Sequence, residues 1–368
     1  MASIMIIGTN MMNIYNHRLE LIKSLLSLNF QVSVVAPKGG EEKSLLSMGV
    51  RFIDTPVDNR GTNPKNDLRL LKSLIRIIKN ENPDVILTFY TKTNIYGGLA
   101  CRFTSTPYIE NITGLGSAIA NGGFKQKIMI WLYKQAVKDA SIVFFQNTHN
   151  QLFFKEKRIR TKKTHLLPGS GVSLERYLPL PYPSSNTIEF LFISRVIKEK
   201  GIDEYLEAAK AITKKYPNTV FHVIGPAEDK YIPILEEHQR NGYIKYHGKL
   251  FDIKPLLLKS HCTVFPSYYA EGMANVLLES AASARPIITT NLPGCGETVE
   301  GGKTGYVVKH QDSSDLISKI EKFILLPFEE KKNMGLNGRA KMEKEFDRNI
   351  ITDAYINEIK LILKNQNL

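Results

Sequence analysis

Two carboxylates, Glu271 and Glu279, stand eight residues apart in the stretch from His261 to Val307. This stretch predicts a buried strand over Cys262–Phe265, a loop, a helix from about Asn275 to Ala284 and a second strand over Pro286–Thr290. At about 1.5 Å per helical residue the two carboxylates would lie roughly 12 Å apart, which is too far to share a proton or a metal ion. The spacing suits two hydroxyl-bearing ends of one long ligand.

The predicted helix start can bind the middle of such a ligand. Asn275 is a residue type that suits an N-cap, because its side chain can accept from the next backbone amides. The free amides and the positive dipole end of a helix together favour an anion such as phosphate.

A second group of candidates lies in the turn Ser194–Gly201, after the predicted strand Glu189–Ile193. Arg195 offers a planar fork and Lys200 a point charge, so the pair can bracket a diphosphate. An exposed basic loop is the alternative interpretation. The strand-end loops at Gly225 and Gly248 are predicted to hold a nucleobase.

These segments resemble the retaining glycosyltransferases of family 4. The resemblance rests on Glu271-Gly272-Met273 with Glu279, on Arg285-Pro286-Ile287-Ile288, on Gly294-Cys295-Gly296-Glu297 and on the Ser194–Gly201 turn. It implies an α/β protein of the GT-B fold: two Rossmann-like domains that face each other across a cleft, and a C-terminal helix that crosses back to the first domain.

The resemblance also implies roles for these residues in transfer from a UDP-sugar with retained anomeric configuration. Glu271 would bind donor-sugar hydroxyls and Glu279 the ribose. Backbone amides would come from Gly272, Met273 and Ala274. Arg195, Lys200 and the helix amides would neutralise the leaving diphosphate. The chain has no D-x-D motif, so we expect neither a metal ion nor another cofactor.

The first half of the chain alternates predicted strands and helices, which indicates a parallel sheet covered on both faces. Strands are predicted at Ile4–Gly8, Gln31–Ala36, Asp84–Phe89 and Ser141–Phe145, and helices at Arg18–Leu28 and Asp67–Asn80. The first strand ends in Gly8-Thr9-Asn10 without a G-x-G-x-x-G series, so a nicotinamide cofactor is not expected.

Two segments of this half resemble the family 4 branch that builds bacterial lipid-linked oligosaccharides. They are Tyr15–Arg18, at the start of the predicted first helix, and the glycine-bearing loop Asn111–Ser117. A solvated helix start and a simple tight turn are the alternatives. The backbone of Gly169-Ser170-Gly171 could approach a ligand closely. The candidate acceptor residues are therefore Asn10, His17, Arg18, Asn111, Thr113 and Gly171.

The length of 368 residues predicts two domains. We place an acceptor domain at 1–172, a proline- and serine-rich linker at 173–187, a nucleotide-sugar domain at 188–345 and a crossover helix at 346–368.

The net charge of +13 would attract polyanions, including an anionic membrane surface. The aromatic segment Lys125–Lys138 and the basic segment Lys155–Lys163 could bind such a surface, although an ordinary core helix and a solvated face explain them as well. No signal pattern, membrane span or disulfide framework is evident, so we expect a cytoplasmic protein, peripheral on the inner membrane.

The sequence thus predicts transfer of a hexose or N-acetylhexosamine from a UDP-sugar to a polyprenyl-diphosphate-linked saccharide during surface polysaccharide assembly. The expected partners are the nucleotide sugar, the lipid-linked acceptor and an anionic membrane, but not nucleic acid. Two alternatives remain: a UDP-sugar epimerase of the same architecture, and a basic, non-enzymatic nucleic-acid-binding protein.

Overall fold

The computed structural model describes residues 1–57, 63–115, 123–250, 252–269 and 271–366, apart from the side chain of Lys125. The chain forms two compact units. Unit 1 comprises Met1–Gly171 and Arg348–Leu368, and unit 2 comprises Val172–Asp347.

Unit 1 is built on a parallel sheet whose strands run in the order β3-β2-β1-β4-β5-β6-β7. Its strands are β1 (Ser3–Ile7), β2 (Gln31–Ala36), β3 (Arg51–Asp54), β4 (Val85–Phe89), β5 (Tyr108–Ile112), β6 (Ile142–Phe145) and β7 (Thr164–Leu166). Its helices are α1 (Met11–Ser27), α2 (Glu42–Ser47), α3 (Pro64–Glu81), α4 (Thr91–Thr104), α5 (Gly123–Ala136), α6 (Thr148–Glu156) and, from the end of the chain, α13 (Arg348–Asn365).

Unit 2 repeats this plan with a parallel sheet in the order β10-β9-β8-β11-β12-β13. Its strands are β8 (Ile188–Ile193), β9 (Thr219–Ile224), β10 (Lys245–Tyr246), β11 (Cys262–Phe265), β12 (Ile287–Thr290) and β13 (Gly305–Val308). Its helices are α7 (Ile202–Lys215), α8 (Ile232–Arg240), α9 (Lys254–Lys259), α10 (Asn275–Ala282), α11 (Ser313–Leu325) and α12 (Phe328–Glu345).

The central strands are continuous apolar runs because helices cover both faces of each sheet. Every residue of β4, β6 and β11 is buried. In both units the strand order reverses beside the first strand, between β1 and β4 and between β8 and β11. Ligands of open α/β sheets bind at the carboxyl ends of the strands at such a switch point.

Several predicted boundaries are wrong. Helix α1 begins at Met11 rather than Arg18, because the Asn10 side chain accepts from the Asn13 amide and caps the helix there. Strand β5 extends to Ile112, so Asn111 lies in a strand and not in a loop.

Helix α13 packs on α1 and β4 within unit 1, with Ile351, Tyr355 and Ile359 buried there. Among the described residues, no helix has the length and apolar character needed to cross a membrane.

Candidate functional site

The start of α10 presents unsatisfied polar groups, although Asn275 is not its N-cap as the sequence suggested. The cap residue is Ala274, without a side-chain cap bond, and Asn275 is the first helical residue. The Asn275 Oδ1 atom is buried and has no hydrogen-bond partner. Amides in the first turn of a helix have no acceptor within the helix. This end can therefore donate to an anionic group and accept from a hydroxyl.

One of the backbone amides expected to bind the ligand, that of Ala274, is not available. The Ala274 amide donates to the Gly294 carbonyl oxygen at 2.8 Å, so it is already used inside the fold. Gly294 needs its glycine, because φ is +82° and a Cβ atom would lie 2.8 Å from the Glu271 Cβ. The Met273 side chain belongs to the core of unit 2.

Lys200 and Glu271, which the sequence assigns to diphosphate and sugar hydroxyls, form an ion pair. Lys200 is 9% exposed, and its Nζ atom lies 4.7 Å from the centre of the Tyr269 ring. Tyr269 was not among the predicted site residues, since nothing in its spacing distinguishes it from its neighbours. Burial together with the Glu271 charge raises the pKa of the nearby Cys295 thiol to about 12, so the thiol is neutral.

The turn that carries Lys200 is pressed against the end of β11. Gly201 has φ +77°, and a Cβ atom there would lie 2.2 Å from the Pro266 carbonyl oxygen. Arg195 is exposed at the end of β8, so the two basic residues differ in environment. A ligand can therefore reach Arg195 directly from solvent. It can reach the buried Lys200 only when it lies against the turn itself.

The loops after β9 and β10 are tied to this turn. The Gly225 amide donates to the Gly248 carbonyl oxygen at 2.7 Å. A Cβ atom on Gly225 would lie 1.8 Å from the Ser194 carbonyl oxygen. Glu279 is half-buried on α10. Unit 2 thus brings Arg195, Lys200, Gly225, Gly248 and Glu271 to the carboxyl edge of one sheet.

Unit 1 does not present its predicted acceptor residues in the same way. Arg18 lies in the second turn of α1 and is 2% exposed, with its guanidinium 4.2 Å from the centre of the Phe89 ring. Its Nη2 atom donates to the Ser170 Oγ at 3.3 Å. The alternative interpretation of Arg18 as part of a solvated helix start is therefore wrong, while the neighbouring His17 is half-buried.

Asn111 and Gly171 also serve the interior of unit 1. The Asn111 Nδ2 atom donates to the Tyr355 hydroxyl of α13. A Cβ atom on Gly171 would lie 2.7 Å from the Arg348 Cα, so the space beside this glycine is filled by the chain itself and not left for a ligand. Thr113 is half-buried after β5. Of the predicted loop Asn111–Ser117, Gly116 and Ser117 lie outside the described residues.

The predicted membrane helix, α5, has two faces. Tyr133 and Ala136 are buried, whereas Phe124, Ile128 and Trp131 are 77%, 42% and 59% exposed. These three residues follow the i, i+4, i+7 spacing of one helix face. We call them the α5 stripe. The six basic residues between Lys155 and Lys163 are exposed as well.

No group of three or more His, Cys, Asp or Glu side chains within the described ranges is arranged to bind a metal ion.

Two family profiles match the two halves of the chain. The one described as Glycosyl transferase 4-like matches residues 10–147, and the one described as Glycosyl transferases group 1 matches residues 183–341.

Curated relatives extend over nearly the whole chain. The N,N'-diacetylbacillosaminyl-diphospho-undecaprenol alpha-1,3-N-acetylgalactosaminyltransferase of Campylobacter jejuni is 27% identical over 96% of this chain and 97% of its own length. The UDP-Gal:alpha-D-GlcNAc-diphosphoundecaprenol alpha-1,3-galactosyltransferase of Escherichia coli is 24% identical over 93% of this chain and 92% of its own.

Solved structures share the fold. The Anabaena protein HepE, crystallised with UDP and glucose, matches with a TM-score of 0.79 at 16% identity over 98% of this chain and 100% of that one. A sucrose-phosphate synthase from Thermosynechococcus elongatus gives a TM-score of 0.81 at 18% identity over 99% of this chain and 100% of that one.

Proposed function

Because this chain belongs to the family 4 glycosyltransferases, of GT-B fold, we propose that it transfers a hexose or N-acetylhexosamine from a UDP-sugar to a polyprenyl-diphosphate-linked saccharide. Two relatives named above act on undecaprenyl-diphosphate-linked sugars, and the second uses UDP-galactose by its name. The epimerase and nucleic-acid-binding alternatives are not favoured, because the named relatives are transferases.

The observation that carries this proposal is the arrangement beside α10. A buried lysine, a carboxylate and a helix N-terminus with an unpartnered Asn275 Oδ1 meet at the carboxyl edge of the unit 2 sheet. A UDP-sugar needs positive charge and amides for its diphosphate, and carboxylates or amides for its hydroxyl groups.

In this proposal the leaving diphosphate lies between Arg195, Lys200 and the first-turn amides of α10, with retention at the sugar carbon. Glu271 accepts from donor-sugar hydroxyls, and Glu279 accepts from the ribose. The role of Glu271 requires its carboxylate to exchange some of its contact with Lys200 for sugar hydroxyls. Lys200 then turns its charge toward the phosphates.

We further propose that unit 1 binds the acceptor at an anionic membrane surface on the cytoplasmic side. The support is the exposed α5 stripe with the lysines around it, since aromatic and basic residues together suit a headgroup layer.

Mass spectrometry of the products from a panel of UDP-sugars and undecaprenyl-diphosphate-linked saccharides tests the activity. We expect one sugar to be added, and Lys200→Ala to lower the rate by about a hundredfold or more. A matched Lys198→Ala variant changes an exposed lysine of the same turn and should remain active. Epimerised donor in the absence of acceptor would contradict the proposal.

We also propose that the reaction needs no metal ion, because Arg195, Lys200 and helix amides would supply the positive charge at the diphosphate. Activity should survive EDTA. Loss of activity with EDTA and its recovery with manganese would show that a metal ion supplies part of this charge.

A further inference from the structure

Three side chains of unit 2 form a hydrogen-bonded chain across neighbouring strands. His222 Nε2 lies 3.0 Å from the Glu189 Oε2, and His222 Nδ1 lies 2.9 Å from the His247 Nε2. The centres of the two imidazole rings lie 5.2 Å apart, with an angle of 26° between the planes. We call these residues the Glu–His–His chain.

The strand register shows where this chain leads. His222 is level with Leu191 in β8 and with Lys245 in β10. Glu189 is therefore two residues before that level, and His247 is two residues after it. The chain runs from the beginning of β8 to the carboxyl edge of the sheet, where His247 precedes Gly248. Its far end thus adjoins the Gly225 and Gly248 loops of the proposed nucleotide site.

The carboxylate fixes the direction of every hydrogen bond in the chain. An ionised Glu189 can only accept, so His222 must carry its proton on Nε2. A neutral His222 then has a bare Nδ1 that can only accept, and the His247 Nε2–H donates to it. A neutral His247 finally has its Nδ1 bare.

Burial favours the neutral forms that this pattern requires. Desolvation is the main cause that lowers the pKa of both histidines below 6.5, and the positive charge of Lys245 lowers them further. The Glu189 carboxylate acts in the opposite direction on His222. A single proton can be accommodated, because a protonated His247 still donates from Nε2, and a neutral His247 can move its proton to Nδ1 and accept from a protonated His222. Protonation of both rings sets one N–H against the other and breaks the link.

We propose that the Glu–His–His chain is a positioning device for the nucleotide-base loops, which orients His247 and the adjoining Gly248 turn until both histidines are protonated. His222 and Glu189 act through His247, so they are positioning residues rather than catalytic ones. This inference rests on the proposed function, because it assigns the uridine end of the donor to these loops.

The first test measures UDP binding by calorimetry from pH 8 to pH 5 in the full chain, with wild type and His222→Phe compared at each pH. UDP itself titrates in this range, so the readout is the ratio of the two Kd values. Above pH 7 the wild type should bind about three- to tenfold more tightly, the size of one net hydrogen bond. The ratio should fall toward one as the pH drops below 6.5, because the wild type loses the link as its second imidazole becomes protonated.

His238, which is half-buried on α8 and outside the Glu–His–His chain, provides the matched control. His238→Gln should give a ratio of one at every pH. A His222→Phe ratio that stays constant with pH, or equals one throughout, would overturn the positioning role even if UDP binds. Failure of the wild type to bind UDP at pH 8 would instead contradict the nucleotide assignment.

A second measurement does not depend on the ligand or on the folding of His222→Phe. Nitrogen-15 spectra of histidine-labelled wild type at pH 8 should show the Nε2–H tautomer for both residues. Glu189→Gln should mix the tautomers, because the amide can donate as well as accept. An Nδ1–H tautomer for His222 in the wild type would contradict the proposed directions of the hydrogen bonds in the Glu–His–His chain.

Discussion

The contact of Lys200 with an aromatic ring has a consequence at the scale of single residues. When a donor sugar draws Glu271 away, the Tyr269 ring is a contact that can keep the ammonium in place. Tyr269→Leu should therefore lower kcat by about two- to thirtyfold, the range of one cation–π contact. Tyr269→Phe keeps the ring and should restore most of the rate in steady-state assays.

The contrast between these two variants separates the ring from the hydroxyl. Equal losses in Tyr269→Leu and Tyr269→Phe would show that the hydroxyl matters and the aromatic face does not.

A second residue-scale feature is the Glu110 carboxyl group, which is 0% exposed on β5. Burial holds its pKa well above 4.5, and neither of its oxygens has a partner. The folded protein retains this proton when the unfolded chain has lost it. The contribution of Glu110 to the free energy of unfolding of unit 1 should therefore be largest below pH 4.5. It should fall by up to about 1.4 kcal/mol per pH unit as the pH rises toward the folded pKa.

Urea unfolding at pH 6 and pH 8 measures this effect, with the fluorescence of Trp131, the only tryptophan, as the reporter for unit 1. Glu110→Gln should reduce the difference between the free energies of unfolding at the two pH values. Glu156→Gln makes the same chemical substitution at an exposed residue and should leave that difference unchanged. A pH dependence equal in all three proteins would contradict a neutral Glu110.

The positions of the proposed donor-site residues at the strand ends could be predicted from the sequence, but their surroundings could not. Glu271, Lys200 and Gly225 lie at strand ends where their types and local spacing place them. The burial of Arg18 and Asn111 could not be predicted, because each is covered by residues that are distant in the sequence. Arg18 reaches Ser170, and Asn111 meets Tyr355. No local pattern reports a contact between residues so far apart in sequence.

At the scale of elements, α5 is the feature with the clearest consequence. The protein should sediment with anionic vesicles at low salt and not with neutral vesicles. Each lysine near an anionic surface contributes about 1 kcal/mol, and added salt should weaken binding because exposed charges are screened over about 10 Å at 0.1 M. Binding should fall, with UDP affinity intact, when glutamine replaces Lys125, Lys127, Lys134 and Lys138.

A control with the same loss of charge on unit 2 distinguishes a local surface from the net charge of +13. It replaces four exposed lysines by glutamine: Lys214, Lys230, Lys254 and Lys259. Equal loss of sedimentation in both variants would assign the binding to net charge and not to α5.

Elements with a strong apolar pattern were predicted well, and weakly patterned ones were missed. Strands β4, β6 and β11 are wholly buried, so their apolar runs are unbroken. Helix α12 carries the sequence FEEKKNMGLNGRAKMEKE, with few apolar residues at helical spacing. Its Gly335 packs where any side chain would clash, because a Cβ atom there would lie 2.2 Å from the Ala284 carbonyl oxygen. Such a helix is defined by the surface on which it packs.

At the scale of the whole molecule, the two units differ in how the chain builds them. Unit 2 is one continuous stretch, whereas unit 1 needs both ends of the chain. Helix α13 fills the core of unit 1 with Tyr355, whose ring packs 4.9 Å from Phe144 and 5.8 Å from Phe89 between ring centres.

This division sets an order of events on the ribosome. At about 5–20 residues per second, residues 172–347 take roughly ten to thirty-five seconds to synthesise, and during that time Phe89 and Phe144 lack their partner. All of unit 2 is synthesised before α13, so unit 2 can fold without that helix, whereas the core residues of unit 1 that α13 covers lack their partner until it is made. Released chains truncated after residue 347 should therefore resist proteolysis in unit 2 and remain cleavable in unit 1, and equal protection of both would contradict this order. Helix α13 would then complete the core of unit 1 only after unit 2 has been synthesised.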